Sequence, residues 1–376
     1  MLFVRPDYHC TFVYRNELRK LGWSADVYVP WGYPDHLLYS TEDLVRPHRI
    51  KPGTSRLGSF LNLLLASSWY LFHGWKYEFH IYYGKPPEWL NFSTRLSSNG
   101  TPNLSLKLAK IWGCKLVFLP SGCNEELSKK EFSQLDEGAV CGNCGFWDRC
   151  DDLDVNIPHF ERVRNYFDLT IGAGSTPVTE LTTTIIKWKA IDLDLWQPEL
   201  LIPESHKIAR STNLIILHSF SSNGRDFEGR NIKGSSFIRQ AVERLIDEGH
   251  KIEFMYLKDV PSNQMRFYQA QADIVVEQLR YGWWGSTGVE TMALGKPVIC
   301  YLRPSWKDFF FENFPEYDKL PIVEATVDTI YDSLKLLIED EEYRLRKGKE
   351  SREFAEQHFN PVINTKSLEK HLLSLR

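Results

Sequence analysis

The segment at residues 281–302, YGWWGSTGVETMALGKPVICYL, constrains the fold more than any other stretch of the chain. A glycine-rich turn opens the segment, and a short run with helical spacing follows that carries Glu290. The Gly-Lys-Pro sequence at 295–297 ends this helix, and the apolar run at 298–301 is typical of a buried parallel strand. The segment therefore predicts a turn, a helix and a strand of an α/β protein.

The glycine-rich turn of this segment is suited to binding an anion. The first N–H groups of a helix have no partner within the helix, and the helix dipole favours negative charge at that end. A diphosphate above the turn would meet these groups, and Glu290 could accept hydrogen bonds from sugar hydroxyls about one turn further along. Many α/β proteins carry such a turn without a ligand, so the turn alone does not establish a site.

The size and charge of the chain narrow its class. Its 376 residues, 43% of them hydrophobic, can form more than one core, so we expect two domains. The formal net charge is -4, whereas nucleic-acid-binding proteins usually carry a basic stripe. We therefore expect no nucleic-acid partner.

The N-terminal region shows no secretory signal, because a charged segment follows the first four residues directly. The most apolar segment, 60–75, is interrupted by polar residues and is shorter than the roughly 20 apolar residues that a membrane span needs. We therefore expect a cytoplasmic protein and interpret 60–75 as a core helix. The alternative is peripheral contact with the inner face of a membrane through Phe60, Leu64, Trp69 and Phe72.

Strand-like apolar runs alternate with helical spacing along both halves of the chain, which predicts two parallel sheets with crossover helices. In the first half the runs lie at 1–4, 26–30, 78–84, 114–119, 168–174 and 188–192. In the second half they lie at 214–217, 251–257, 274–276 and 298–301. Ligands of open α/β sheets sit beyond the carboxyl ends of the strands, so we expect His80 and the turn at 121–124 to face one crevice.

Several stretches resemble retaining glycosyltransferases of the GT-B fold. The segment 281–299 is similar to the family signature, which commonly reads E-G-F-G-x-x-x-x-E-A-M-A-x-G-K-P-V. The stretch at 218–234, HSFSSNGRDFEGRNIKG, resembles the first strand and loop of the family's donor domain. The stretches ADIVVEQLRYG and IKWKAIDLDLWQP resemble the strand before the signature and the end of the N-terminal domain. The resemblance covers most of 200–302 and the N-terminal half loosely.

These stretches resemble glycosyltransferases group 1, the family 4-like enzymes. The resemblance implies an architecture for the whole chain. It implies an α/β protein of the GT-B fold, with two Rossmann-like domains that face each other across a cleft. Residues 1–198 would form the acceptor-side domain with a cysteine-rich insertion, and 199–355 the nucleotide-sugar-binding domain. Residues 356–376 would form a C-terminal helix that returns to the first domain.

The resemblance also implies a donor site. The residues it assigns to donor binding are Lys233, Gly234, Gly285, Ser286, Thr287 and Glu290, with Arg230 in competition with Arg225 for a second phosphate contact. Lys233 would neutralise the diphosphate, and Glu290 would bind the ribose hydroxyls. A fixed ammonium and helix N–H groups stabilise the charge on a leaving diphosphate most in the transition state.

The expected catalytic residues are Glu290 and His80. His80 corresponds loosely to a histidine near the reacting sugar in related enzymes, although a histidine in an apolar strand is as often a core or rim residue. The family's Glu-x7-Glu pair would place its first glutamate, which usually contacts the donor sugar, at the position of Gly282. Glu277 would replace it only if the loop folds differently, so this gap leaves donor identity and activity open.

Four of the seven cysteines, Cys123, Cys141, Cys144 and Cys150, lie within 28 residues of one another. A Cys-x2-Cys turn presents two thiolates to one tetrahedral ion, so the four predict a structural zinc site. Reduced thiols without a metal and an iron–sulfur cluster are the alternatives. A closed site of four thiolates would brace a loop and take no part in the chemistry, for which we expect no cofactor.

The resemblance implies transfer of a hexose-type sugar from a nucleoside diphosphate sugar, with retention, to a saccharide or lipid-linked hydroxyl. The implied role is surface glycan synthesis. One alternative is a nucleotide-sugar isomerase, such as an epimerase, on the same fold. A second alternative, motivated by Gly282, is a non-catalytic protein that binds a nucleotide sugar at a degenerate donor site.

Overall fold

The chain forms two units, each built on a parallel sheet flanked by helices. The computed structural model describes residues 1–31, 33, 35–47, 55–84, 86, 89–90, 104–119, 139–145, 164–173, 184–209, 213–220, 226–227 and 230–376. Within these residues, the alternation of strands and helices follows the pattern predicted from the apolar runs.

The first unit contains a seven-stranded parallel sheet. Its strands are β1 (Leu2–Val4), β2 (Asp26–Tyr28), β3 (Leu44–Val45), β4 (Phe79–Tyr83), β5 (Lys115–Leu119), β6 (Leu169–Gly172) and β7 (Thr184–Ile185). Its helices are α1 (Cys10–Lys20), α2 (Arg56–His73), α3 (Leu104–Ile111) and α4 (Ala139–Gly142). The strand order is β3-β2-β1-β4-β5-β6-β7, so β1 lies inside the sheet and its carboxyl end leads into α1.

The second unit contains a five-stranded parallel sheet. Its strands are β8 (Leu214–Phe220), then, after the antiparallel pair β9 (Asp226–Phe227) and β10 (Arg230–Asn231), β11 (Ile252–Lys258), β12 (Ile274–Gln278), β13 (Val298–Cys300) and β14 (Val323–Glu324). Its helices are α5 (Ser235–Asp247), α6 (Ser262–Gln271), α7 (Ser286–Ala293), α8 (Pro304–Asn313), α9 (Ile330–Glu339) and α10 (Glu341–His358). The strand order β11-β8-β12-β13-β14 makes β8 and β12 neighbours.

The last helix, α11 (Pro361–Leu373), leaves the second unit and packs against α1 of the first. The Asn360 side chain accepts hydrogen bonds from two N–H groups of its first turn, each at 3.1 Å, which fixes where the helix begins. Leu368 and Leu372 are buried in the same core cluster as Phe3 and Val13. The chain therefore crosses between the units a second time at its C-terminal end.

The expected strand at 188–192 is wrong, because this segment forms no strand in the structure. Its backbone groups bond elsewhere: the Ile191 N–H donates to Phe359 O at 3.1 Å, at the junction of α10 and α11. The Asn364 side chain also donates to Lys189 O at 3.1 Å. The segment is mostly buried, which explains its strand-like composition, but it connects the two units and forms no ladder with a strand among the described residues.

Helix α2 confirms the helix expected around 60–75 but departs from the core-helix interpretation. Its buried positions are mostly small or polar, namely Gly58, Asn62, Ala66, Ser67 and Tyr70. Most of its large apolar side chains are instead exposed, among them Leu57, Phe60, Leu64 and Phe72. No helix in the described part of the chain is long and apolar enough to cross a membrane.

Candidate functional site

The N-terminus of α7 lies beyond the carboxyl end of β12, as the sequence of 281–302 predicts. The intervening loop is held by backbone and side-chain contacts. The Arg303 N–H donates to Gly282 O at 2.9 Å, and the Gln278 amide donates to Trp283 O. Trp283 and Trp284 stack with ring centroids 4.2 Å apart and are buried in the core, so the loop is anchored close to where the helix begins.

Lys233 and Gly234 lie at the same end of the sheet. The Lys233 Nζ donates to Ser219 O, near the carboxyl end of β8, at 3.0 Å. Gly234 precedes α5 with a φ of 74°, and a Cβ there would lie 3.2 Å from the Leu279 side chain. The Leu279 N–H donates to Lys233 O at 3.1 Å, so the loop before α5 and the loop before α7 are bonded to each other. Lys233 is thereby positioned beside the loop that leads to α7.

A buried histidine, His218, supports this arrangement from β8. Its Nδ1 lies 2.7 Å from Val276 O and therefore carries the proton, while Nε2 accepts a hydrogen bond from the Ser235 hydroxyl at 2.7 Å. Burial, with a smaller effect of Lys233, lowers the pKa of His218 to about 3. The ring is thus neutral and fixes the start of α5, with no charge of its own at the site.

Glu277 lies directly under the N-terminus of α7. The Gly285 N–H donates to Glu277 Oε1 at 2.7 Å, and a Cβ added to Gly288 would collide with Glu277 Oε2. The side chain is buried, and this burial raises the pKa of Glu277 to about 7 against the opposing effects of Lys233 and of the Gly285 and Gly288 amides. The carboxylate therefore occupies part of the space in which the sequence places an anionic ligand.

Glu290 is buried in α7 and connects the two units. Its Oε2 accepts a hydrogen bond from the Gln269 amide of α6 at 2.9 Å. Its Oε1 lies 3.3 Å from His9 Nδ1, and His9 belongs to the first unit, immediately before α1. The His9 ring packs against Trp196 with centroids 5.4 Å apart. One carboxylate oxygen is thus hydrogen-bonded within the second unit, and the other lies beside His9 of the first unit.

An ion pair between the buried Asp7 carboxylate and the partly exposed Lys189 fixes the loop that carries His9. The Asp7 carboxylate accepts hydrogen bonds from Lys189 Nζ at 2.8 Å and from Trp188 Nε1 at 3.1 Å. The Asp7 N–H also donates to Thr11 Oγ1 at 2.8 Å. Because Lys189 and Trp188 lie in the segment that connects the units, the position of His9 depends on both the β1–α1 loop and that connection.

His80 is not brought to this site. It is the second residue of β4 and pairs with Leu2, so it lies near the amino end of the strand and not at the end where ligands bind. Its Nε2 lies 3.0 Å from Gly74 O, Tyr70 and Tyr82 surround the ring, and burial lowers its pKa to about 4. This is the environment of a neutral core histidine, and it argues against the catalytic role expected from the sequence.

The structure describes only some of the remaining residues that were expected to contact phosphate. Ser286 and Thr287 are the first two residues of α7. Arg230 lies in the short pair β9–β10, and its competitor Arg225 lies outside the described residues. Their contacts with a phosphate remain predictions.

Two of the four cysteines expected to bind zinc can be placed. Cys141 lies in α4, and the Cys144 N–H donates to Cys141 O at 3.0 Å, which forms the expected tight turn. Cys123 and Cys150 lie outside the described residues. Within the described residues, no group of three or more His, Cys, Asp or Glu side chains is arranged to hold a metal ion. The zinc site remains a prediction that metal analysis of the purified protein tests.

His9 was not expected at this site from the sequence, and Glu277 was expected there only if the loop folded differently. His9 lies in the short loop between β1 and α1, beyond the carboxyl end of a strand, and this position was a usable signal. Glu277 is the fourth residue of β12, five residues from the expected carboxylate position. Only the fold of the loop at 279–285 shows that its side chain reaches the start of α7.

The part of the chain that contains α7 is similar in sequence to a known protein family. Residues 238–354, from α5 to α10, match the sequence model of the family described as glycosyl transferases group 1. No protein with a curated description matches the chain.

Solved structures resemble the whole chain. HepE from Anabaena, solved in complex with UDP and glucose, is 14% identical, with 99% of each chain covered and a TM-score of 0.59. Sucrose-phosphate synthase from Thermosynechococcus elongatus is 13% identical over 100% of this chain and 99% of the other, with a TM-score of 0.57. UDP-GlcNAc 2-epimerase from Neisseria meningitidis, bound to UDP-GlcNAc, is 12% identical over 99% of each chain, with a TM-score of 0.50. At such identities the likeness establishes the fold, and it confirms the predicted GT-B architecture of two Rossmann-like domains.

Proposed function

We propose that the chain is a glycosyltransferase that transfers a sugar from a nucleoside diphosphate sugar to a hydroxyl acceptor, with retention of configuration. One observation carries the proposal. Lys233, the N-terminus of α7 and Glu290 lie together beyond the carboxyl ends of β8 and β12, and α7 lies within the segment that matches a glycosyltransferase family. This is the part of an open α/β sheet at which nucleotides bind.

The proposed donor site divides into a phosphate part and a ribose part. Lys233 Nζ and the N–H groups of Ser286 and Thr287 face the diphosphate, with Arg230 as a second cation. Glu290 accepts hydrogen bonds from the ribose hydroxyls, for which its carboxylate retains lone pairs beside the contacts to Gln269 and His9. As the nucleoside diphosphate leaves, the lysine and the helix N-terminus stabilise the growing negative charge.

On the side of the first unit, we assign His9 the place near the reacting sugar that the sequence suggested for His80. His9 Nδ1 lies 3.3 Å from Glu290 Oε1, so this residue of the first unit reaches the helix of the proposed donor site. The imidazole there can donate a hydrogen bond to a sugar hydroxyl through a ring nitrogen. No protein nucleophile is assigned, in accordance with transfer on one face of the sugar.

The proposed acceptor is a saccharide or lipid-linked hydroxyl, and the proposed pathway is surface glycan synthesis. The exposed apolar side chains of α2 and of the turn after it support a peripheral contact with a lipid surface, because Leu57 and Phe72 in α2 and Trp75 just beyond its end are all largely exposed. The acceptor would then enter from the first unit, opposite the donor.

The test is a panel of UDP-, ADP- and GDP-sugars scored for thermal stabilisation. A ligand that binds only the folded state raises its stability by mass action. We expect one nucleotide sugar and its free nucleoside diphosphate to stabilise the protein, and the matching nucleoside, which lacks phosphate, to have little effect. Release of the nucleoside diphosphate with an α- or β-linked product of unchanged configuration completes the test. If no member of the panel stabilises the protein, the proposal fails.

A nucleotide-sugar isomerase is the second candidate, because a UDP-GlcNAc 2-epimerase shares the fold over 99% of this chain. An isomerase converts its nucleotide sugar without an acceptor, whereas a transferase needs one. Analysis of the nucleotide sugar after incubation without acceptor separates the two: an epimerised sugar favours the isomerase, and an unchanged or slowly hydrolysed sugar favours the transferase.

A further inference from the structure

A protein carboxylate already occupies the anion-binding end of α7. Glu277 is 2% exposed, and its Oε1 accepts a hydrogen bond from the Gly285 N–H at 2.7 Å. Its Oε2 lies against Gly288, whose N–H influences the carboxylate, but no well-aligned hydrogen bond reaches this oxygen in the described part of the chain. The helix that we propose to face a diphosphate therefore presents a buried side chain with an unsatisfied oxygen at its first turn.

The charged and titratable groups around Glu277 come from four elements. Lys233, in the loop before α5, attracts the carboxylate, and Glu290, on α7, repels it. Cys300, on β13, is close enough for the two groups to influence each other, and burial keeps its thiol protonated by raising its pKa well above the usual range. His218, on β8, is neutral because burial lowers its pKa to about 3. Lys233 is thus the cation that faces Glu277 within the described residues.

A diphosphate bound here would add two negative charges to this set. With Glu277 and Glu290 both ionised, the added charges would meet two carboxylates and one well-placed lysine, in a buried environment where such repulsion is poorly screened. A proton on Glu277 removes one of the carboxylate charges. It also allows the carboxyl group to donate a hydrogen bond to a phosphate oxygen in place of repelling it.

We propose that a nucleoside diphosphate sugar binds to this site together with one proton, which is taken from solvent onto the Glu277 carboxylate. The inference rests on the proposed function, because it concerns the same donor site. Burial, the largest influence on this group, raises the pKa of Glu277 to about 7, so the proton is available near neutral pH at little cost. Donor affinity should then fall as the pH rises above about 7.

Calorimetric titration with UDP-glucose tests this, since its diphosphate carries no proton that titrates near neutral pH. ADP-glucose or GDP-mannose replaces it if the panel favours one of them. Titrations at pH 8.5 in buffers of different ionisation enthalpy count the protons taken up. We expect an uptake close to one proton per site, and an affinity that weakens about tenfold for each pH unit above 8.

The variant Glu277→Gln carries the neutral isostere of the protonated carboxyl. We expect its affinity to be independent of pH and, at pH 8.5, about thirtyfold higher than that of the wild type. Glu248→Gln is the matched control, because Glu248 is a carboxylate at the far end of α5 whose side chain is bound to Tyr331 at the surface; it should keep the wild-type pH dependence. An infrared difference spectrum of the wild type should also gain the carbonyl stretch of a protonated carboxyl on binding, which tests the assignment even if Glu277→Gln does not fold.

The outcomes separate this inference from the proposed function. Binding without proton uptake, or a pH dependence that is the same in Glu277→Gln and the wild type, overturns the inference and leaves the donor site intact. Failure of every nucleotide sugar to bind overturns both.

Discussion

Gly282 stands where the glycosyltransferase signature carries a carboxylate, and its backbone explains why the chain has a glycine there. Its φ is 103°, a conformation that side chains other than glycine rarely adopt. A Cβ at this position would also lie 2.9 Å from Arg303 Nε and 3.0 Å from Arg303 Cβ. The loop thus excludes a glutamate at 282, and the nearest carboxylate, Glu277, approaches the helix from the strand below.

Restoring a side chain at 282 should therefore destabilise the protein. We expect Gly282→Ala to lower the free energy of unfolding by about 2 kcal/mol or more, because it combines backbone strain with a contact against a buried arginine. Gly22→Ala is the matched control: Gly22 has a φ of 89° but nothing within 4 Å of an added Cβ, so it reports the strain alone. Chemical denaturation measures both. Equal losses in the two variants would contradict the packing explanation.

The raised pKa of Glu277 also predicts how stability depends on pH. The folded protein holds this proton up to about pH 7, whereas the unfolded chain releases it near the ordinary value of 4.5. Its contribution is therefore fully present below pH 4.5 and is lost as the pH rises through about 7, by about 3 kcal/mol in total. In Glu277→Gln this part of the decline should be absent. Unfolding curves of both proteins between pH 5 and 8.5 that fall in parallel would contradict it.

His80 and His9 show which properties of a single residue can be predicted from a sequence. His80 could be assigned to a strand from its apolar neighbours, but not to the end of the strand that it occupies or to the packing that surrounds it. His9 could be placed at a strand end, but its contact with Glu290 joins residues 281 positions apart. Contacts of this kind depend on how the units meet, and no local pattern encodes that.

At the scale of elements, the turn, helix and strand of 281–302 could be predicted because each signal is local. Glycines mark the turn, Gly295 and Pro297 end α7, and an apolar run forms β13. The strand predicted at 188–192 is wrong because its signal is not specific to strands. Its apolar composition reports burial, and burial in a strand cannot be distinguished from burial in a connection between units by composition alone.

The packing of α11 against α1 can be tested with two neighbouring leucines. Leu372 is fully buried where α11 meets α1, whereas its neighbour Leu373 is 43% exposed. We expect Leu372→Ala to cost about 3 kcal/mol of unfolding free energy, because it leaves a cavity in the core of the first unit. Leu373→Ala should cost less than about 1 kcal/mol. Thermal unfolding of the two variants decides, and similar losses would mean that α11 does not pack as described.

In the whole molecule, the two units meet around the proposed donor site and not only through the polypeptide that connects them. Arg352 of α10 donates to Trp196 O at 2.8 Å and to Ala293 O at 2.6 Å, which ties the connection to the end of α7. His9 approaches the same helix from the first unit. A ligand at the start of α7 would therefore touch residues whose positions depend on both units.

The proposed contact of the first unit with a lipid surface can be tested on vesicles. We expect the double variant Phe72→Ser, Trp75→Ser to bind vesicles of anionic phospholipid at least about tenfold more weakly than the wild type, because Phe72 in α2 and Trp75 just after it are both largely exposed. Leu201→Ser, at an exposed apolar residue before the second unit, is the matched control and should bind as the wild type does. Co-sedimentation measures the difference. Equal binding of both variants would contradict a membrane contact through Phe72 and Trp75.

The central claim is that Lys233 and the N-terminus of α7 bind the diphosphate of a nucleotide sugar. It is tested most directly by calorimetric titration of the stabilising nucleotide sugar into the wild type, Lys233→Ala and Lys349→Ala, the last being an exposed lysine of α10. We predict that Lys233→Ala weakens binding roughly tenfold to a hundredfold, as expected for loss of a hydrogen bond to a charged group, and that Lys349→Ala binds as the wild type does. Equal affinities in all three proteins would contradict the claim.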